Sequence, residues 1–144
     1  MSGAERLYTP ELLALTLRLA GYPWDETLPL RGDARSKSCG STLRLGLALG
    51  ANSAIARVGM RVQACAVGQA AAAIFADAAI GRGLADIHRT HADMQRWLAE
   101  GGELPGWPGL GMIEPARTYP ARHGAMMLPW EAALAALSSA RPSG

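Results

Sequence analysis

The chain has 144 residues, 49% hydrophobic and 6% aromatic, with 14 basic and 12 acidic side chains and a net charge of +2. That length supports one domain with its own core and no staples. The charge is nearly balanced and no Lys/Arg cluster stands out, so no nucleic-acid partner is expected. The few aromatics predict a core of Leu, Ala, Val and Met.

The opening "MSGAERLYTPELLALTLRLAG" carries Glu5, Arg6, Glu11 and Arg18, and lacks the uninterrupted apolar run of a signal peptide or membrane span. A cytoplasmic protein without a membrane partner is expected. Two cysteines in a reducing compartment read as free thiols or metal ligands, not as a structural disulfide.

In chain order, Thr9-Pro10-Glu11 starts a helix, with a hydroxyl cap, a first-turn proline and an acid at the positive end of the dipole. It runs to about Leu19 and stops at Gly21. Residues 22–41 read as loop, with a short strand near Thr27 to Leu30. Strict alternation then places Leu43, Leu45, Leu47 and Leu49 on one face of a strand. A second strand puts Ala56, Val58, Met60 and Val62 on one face and Arg57, Arg61 and Gln63 on the other. "GANS", residues 50–53, is the turn between them.

A helix follows from about Val67 to Ile80, closed by Gly81. In a further helix, Leu84, Ile87, His91, Met94 and Leu98 form one apolar stripe. His88 and His91 have an H-x-x-H spacing on that helix and read as structural. Residues 101–111 are a Gly/Pro loop. "ARHGAMMLPWEAALAAL" is a last helix interrupted at Pro129, which either kinks it or restarts it. The domain spans 1–137, and the tail 138–144 is expected to be disordered.

Antiparallel pairing of the two strands must bring their apolar faces together. That condition pairs Leu43 with Met60, Leu45 with Val58 and Leu47 with Ala56, and its extension sets Cys39 opposite Ala64. Cys39 and Cys65 then become neighbours, with Cα atoms roughly 5 to 8 Å apart. Strand parity sends the thiols to opposite faces, but Gly40 and the strand-to-helix joint can re-aim them, so their orientation stays open. Cys65 precedes a helix N-terminus, which favours a thiolate there. Two adjacent thiols suit metal, persulfide or disulfide chemistry, and equally two small buried hydrophobes.

At these residues the sequence resembles the U-type iron–sulfur cluster assembly scaffolds, the family of IscU, SufU and the NifU N-terminal domain. "CGSTLRLGLAL" from Cys39 is similar to that family's Cys-Gly-Asp and following strand. "QACAVGQAAAAIFADAAIGR" from Gln63 resembles its Gly-Cys-x-x-x-x-Ala-Ser-Ala-Ser helix. "YPARHGAMMLPWEA" from Tyr119 resembles the SufU-type stretch Phe-Pro-Ala-Arg-Ile-Lys-Cys-Ala-Thr-Leu-x-Trp-x-Ala. The opening helix "LYTPELLALTLRLAGYPW" is also similar, so the likeness covers nearly the whole chain in order.

The resemblance implies an α/β fold of the α+β kind, a small antiparallel sheet with helices packed on one face. It also implies a site at one end for an iron–sulfur cluster or zinc, held in the family by three cysteines and an aspartate. Cys39 and Cys65 match the first two cysteines. Ser41 stands at the aspartate position and Ala125 at the third cysteine, which removes half of the ligand set. A serine hydroxyl is a poor ligand beside thiolate and imidazole. His123 offers either an imidazole or an ordinary helix-start residue, and Arg122 serves local structure or docking.

The function implied is a non-enzymatic scaffold or carrier that binds an iron–sulfur cluster, most simply 2Fe-2S, or a metal through Cys39 and Cys65. Four ligands complete such a cluster, so a homodimer would supply two and two. The alternative is a metal-free sulfur acceptor, with Cys65 taking a persulfide, or an adaptor docked on a cysteine desulfurase. Zinc-dependent sulfur transfer is weakened by the lost ligands. The implied partners are a cysteine desulfurase and iron–sulfur recipient proteins. No nucleophile elbow, phosphate-cradling glycine loop or paired carboxylates compete.

Overall fold

The first helix opens as its sequence dictates. In the computed structural model, which describes residues 7–139, the Thr9 hydroxyl accepts from the Leu12 amide at 3.1 Å and Pro10 occupies the first turn. Helix α1 spans Pro10–Leu17 and tightens into a 3-10 turn, Arg18–Gly21. Then come β1 (Leu30–Arg35), β2 (Thr42–Leu49), β3 (Ile55–Gln63), α2 (Ala66–Ala79), α3 (Leu84–Glu100), 3-10 segments Leu110–Thr118 and Pro120–Arg122, and α4 (His123–Ser138). Of the tail expected at 138–144, Ser138 still belongs to α4, and residues 140–144 lie outside the described residues.

The three strands form an antiparallel meander in the order β1-β2-β3, with α4 packed on β1 and β2, and α2 beneath α4. This is the expected α+β architecture. Leu43, Leu45 and Leu47 are buried as their alternation requires.

Two strand readings are corrected. Residues 30–35 are not loop but the edge strand β1, and Leu30 begins it rather than ending it. Its sequence "LRGDAR" has little apolar alternation because Gly32 and Ala34 face the helix layer, and at Gly32 α4 leaves no room for a side chain.

The β2–β3 register is also displaced by two residues. The pairs are Leu43↔Val62, Leu45↔Met60 and Leu47↔Val58. A five-residue loop joins the strands, the Gly50 amide bonding the Ala54 carbonyl at 2.7 Å, and an irregularity between Ala48 and Leu49 takes up one more residue. Ile55, not Ala56, is therefore the buried residue at the start of β3. A shift of two preserves every face, which is why hydrophobic matching alone could not detect it.

That loop holds Asn52 at φ 59° and Ser53 at φ 58°. Asn tolerates the left-handed region better than Ser does. Ser53→Gly is therefore expected to raise stability by about 0.5 kcal/mol, read as a higher urea midpoint at unchanged slope; a lower midpoint would contradict the strain argument.

The helix layer is held at its centre by aromatic rings. Phe75 stacks on Trp107 with centroids 5.4 Å apart, and both meet Trp130 edge-on at 5.5 and 5.4 Å. The Trp107 indole donates to the Ile74 carbonyl at 3.0 Å, which anchors the Gly/Pro loop to α2. The core is built mainly of the expected Leu, Ala, Val and Met, and three of its few aromatics are gathered in one place within it. Alanines from Ala70 to Ala73 are fully buried in α2, which lets neighbouring elements approach it from several sides.

On α3 the seam is rotated from the expected stripe. Ile87, Thr90, Met94 and Trp97 are buried, while Leu84, His91 and Leu98 are only partly covered. His88 is exposed, and His91 lies 3.6 Å from Glu131 of α4. The expected interruption at Pro129 does not occur, since α4 runs through it as one helix. Proline removes a single amide bond, to the Ala125 carbonyl, and the fully buried Met126, Leu128 and Trp130 hold the flanking turns in place.

Candidate functional site

Both cysteines are free, half-buried thiols that lie just beyond the same end of the β2–β3 ladder. That ladder ends at Thr42↔Gln63. Cys39 does not continue β2 opposite Ala64, as register extension predicts. It lies instead in the β1–β2 connection, residues 36–41, which is closed by the Ser36 amide bonding the Ser41 carbonyl at 2.8 Å and the Gly40 amide bonding the Ser36 carbonyl at 3.0 Å. Gly40 takes φ 72°, a value suited to glycine, and turns the chain there.

Cys65 is the N-cap residue of α2, extended at φ −64° and ψ 170°, and its carbonyl accepts the Gln69 amide at 2.9 Å. The Gln69 side chain reaches back to the Ala64 carbonyl at 2.9 Å, fixing the strand-to-helix joint.

Both segments abut the start of α4. The Ser38 hydroxyl donates to the Ala121 carbonyl at 3.0 Å. A Cβ placed on Gly124 would lie 2.5 Å from the Ser36 hydroxyl, so that loop sits directly on the first turn of α4. On the other side, a Cβ on Gly68 would meet the Ala64 methyl at 2.7 Å and the Ala125 methyl at 3.4 Å. The fully buried Ala125 thus faces the first turn of α2, beside Cys65. The first turn of α4 is the wedge between the two thiol-bearing segments.

Around Cys39 the structure assembles two hydroxyl partners that local sequence pattern does not single out. Its sulfur lies 3.3 Å from the Ser36 hydroxyl and 3.1 Å from the Ser41 hydroxyl, and Ser36 and Ser41 are themselves buried. Hydrogen bonds from Ser36, then from Ser41, hold the thiol below the ordinary cysteine range, against partial desolvation, with smaller help from the Ser41 amide and the Arg122 guanidinium. The available signal was "SKSCGS", in which serines bracket the cysteine.

Removing a donor must destabilise the thiolate, so Ser36→Ala and Ser41→Ala should each raise the Cys39 pKa. At neutral pH, iodoacetamide labelling of Cys39 should slow several-fold in both, followed by mass spectrometry with Cys65 as the internal comparison. Equal rates in parent and variants would remove the hydroxyls from the account.

Ser41 thus sits against the Cys39 sulfur, at the position where the resembled family has aspartate. His123 Nε2 lies 2.6 Å from the Arg117 carbonyl. A carbonyl only accepts, so Nε2 carries the hydrogen, and in the neutral ring the free lone pair is on Nδ1. Arg122 reaches the Tyr8 hydroxyl at 3.4 Å, tying the loop before α4 to the chain's opening segment. Among the described residues, no three His, Cys, Asp or Glu side chains converge as metal ligands. The described residues therefore do not provide a complete ligand set for zinc or a cluster, although each thiolate fits as a single ligand. Among the described residues, no helix is long and apolar enough to cross a membrane.

This fold recurs in solved structures. The chain is similar to a nitrogen-fixing NifU-like protein (N-terminal) from Brucella abortus, with a TM-score of 0.81 and 25% identity over 97% of this chain and 100% of that one. It is also similar in fold to a putative iron–sulfur cluster assembly scaffold protein for the SUF system from Fervidobacterium islandicum AW-1, with a TM-score of 0.78 and 19% identity over 92% and 97% of the two chains. No protein-family model matches the chain, and no curated protein matches it by sequence.

The chain has the fold of the U-type iron–sulfur cluster assembly scaffolds, and these neighbours bear out the family resemblance that its motifs carry.

Proposed function

We propose that the chain acts in iron–sulfur cluster assembly as a non-enzymatic scaffold or carrier in the cytoplasm, with Cys39 and Cys65 as its thiolate ligands. The observation that carries this reading is that two segments, each bearing a free thiol, flank the first turn of α4 in a scaffold fold, and that the Cys39 sulfur is hydrogen-bonded to two hydroxyls. The cluster is cargo, and a 2Fe-2S cluster needs four ligands. Two thiolates per chain suit a bridging, labile cluster shared between two copies, with Ser41 and His123 Nδ1 as weaker candidate donors. The chain would receive sulfur through a cysteine desulfurase and pass its cargo to recipient proteins.

A second reading follows from Ser41 and Ala125. Hydroxyls and a methyl cannot replace carboxylate and thiolate as ligands, whereas hydroxyl donors do stabilise a sulfur anion. The chain would then be a metal-free sulfur acceptor through Cys65 or Cys39, and the two hydroxyls against the Cys39 sulfur are placed to stabilise an anion there. As an adaptor, it would only dock on the desulfurase.

Anaerobic reconstitution with iron and sulfide separates the two. The scaffold reading expects visible absorption, iron and sulfide in equal amounts, and loss of both in Cys39→Ser and Cys65→Ser. Absorption no greater than that of the apoprotein, and identical in the double variant, would reject it. Transfer of labelled sulfur from a desulfurase to Cys65 or Cys39 would then support the acceptor role.

A further inference from the structure

The outer face of the sheet, opposite the helices, gathers arginines that are scattered in sequence. The register aligns Asp33, Arg44 and Arg61 in one row across the three strands, and Arg35, Thr42 and Gln63 in the next. These residues line a recess of about 520 Å³. Arg44 is paired with Asp33 at 3.0 Å. Among the described residues, neither Arg35 nor Arg61 has a carboxylate within salt-bridge distance. At the far side, Arg31, Arg44 and Arg61 surround the ring of Trp24, each 5.6 Å from its centroid. The ring lies over their delocalised cations and holds them in place.

We propose that this recess docks a carboxylate-rich segment of a partner protein. A guanidinium presents a planar fork that matches a carboxylate, so two unpaired arginines facing one recess leave two such forks unused. Acidic residues are interleaved with these arginines: Asp33 lines the recess, 3.0 Å from Arg44, and Glu26 lies 3.2 Å from Arg31 on the Trp24 side. A continuous phosphate backbone would run onto those carboxylates. A peptide with a few spaced acids can engage Arg35 and Arg61 and avoid them.

The recess also borders the thiols, because Arg35 directly precedes the Ser36–Ser41 loop and Gln63 is two residues before Cys65. A segment seated there lies beside both cysteine-bearing segments. The docking itself does not depend on what Cys39 and Cys65 carry.

The test is fluorescence anisotropy of a fluorescein-labelled oligoglutamate peptide titrated with the purified chain. Binding is expected at low ionic strength, with a loss of about tenfold or more near 0.5 M salt. Arg35→Glu combined with Arg61→Glu should weaken it at least about tenfold, Arg35→Gln with Arg61→Gln less, and Arg35→Lys with Arg61→Lys least. Cys39→Ser with Cys65→Ser should bind as the parent does, so this result stands apart from the cluster reading. Far-UV circular dichroism confirms that each variant folds, and the Gln pair provides the comparison if the Glu pair does not. No binding, equal binding by the Gln pair, or tighter binding of inorganic phosphate or a single-stranded oligonucleotide than of the peptide would overturn the proposal.

Discussion

Ala125→Cys combined with Ser41→Asp is expected to give a chain that binds one zinc ion by itself, at least about a thousand-fold more tightly than the parent. Closed zinc sites take four ligands, and apparent binding energies for such sites reach about 10 to 16 kcal/mol. The parent offers two thiolates, which leaves most of that energy unavailable. Ser41 lies 3.1 Å from the Cys39 sulfur, and Ala125 faces Gly68 in the turn that Cys65 caps. The two replacements therefore add a carboxylate on the Cys39 side and a thiolate on the Cys65 side.

The cost has a definite sign. Ser41 and Ala125 are buried, so without metal the double variant should be less stable than the parent, since an unpaired buried carboxylate is unfavourable. Zinc should reverse that order, and the rise in melting temperature should grow with free zinc. Competition against a chromophoric chelator measures the affinity. A gain of less than about tenfold, with the fold intact, would mean that the two sides of the wedge do not share a metal.

Gly32→Val is expected to destabilise the fold by about 3 kcal/mol or more, enough to consume a large part of a typical domain's stability. A Cβ at Gly32 would lie 2.5 Å from the Ala136 amide nitrogen and closer still to the Ala132 carbonyl oxygen. Both are backbone atoms of α4, which cannot move aside as the end of a side chain can. Either β1 leaves the sheet edge or α4 lifts. Since α4 carries Ala125 at its start and Trp130 in the aromatic cluster, a lifted helix also disturbs the thiol site. Urea unfolding gives the magnitude, and a loss below about 1 kcal/mol would show that the contact relaxes freely.

Much of the fold was legible because it is written in local periodicity. The leucine alternation of β2, the proline and hydroxyl start of α1, and the alanine helix closed by Gly81 each depend on neighbours in sequence. β1 was not legible, since "LRGDAR" is shaped by the close approach of α4 rather than by its own alternation. The register was legible only to within a multiple of two, because side-chain parity repeats every two residues and the loop contains an unanticipated bulge.

For the site, the sequence by itself determined the chemistry that is present: two cysteines, a serine at the aspartate position and an alanine at the third cysteine position. It also placed Cys65 before a helix, since a change of period marks such a joint. The tertiary structure decided which groups meet. It set the hydroxyls of Ser36 and Ser41 on the Cys39 sulfur, and the first turn of α4 between the two thiol segments. It also brought Arg35, Arg44 and Arg61 into one recess. The reason is physical: reactivity and charge recognition depend on distances of a few ångströms between residues far apart in the chain. Those distances are set by strand pairing and helix packing, which no local pattern encodes.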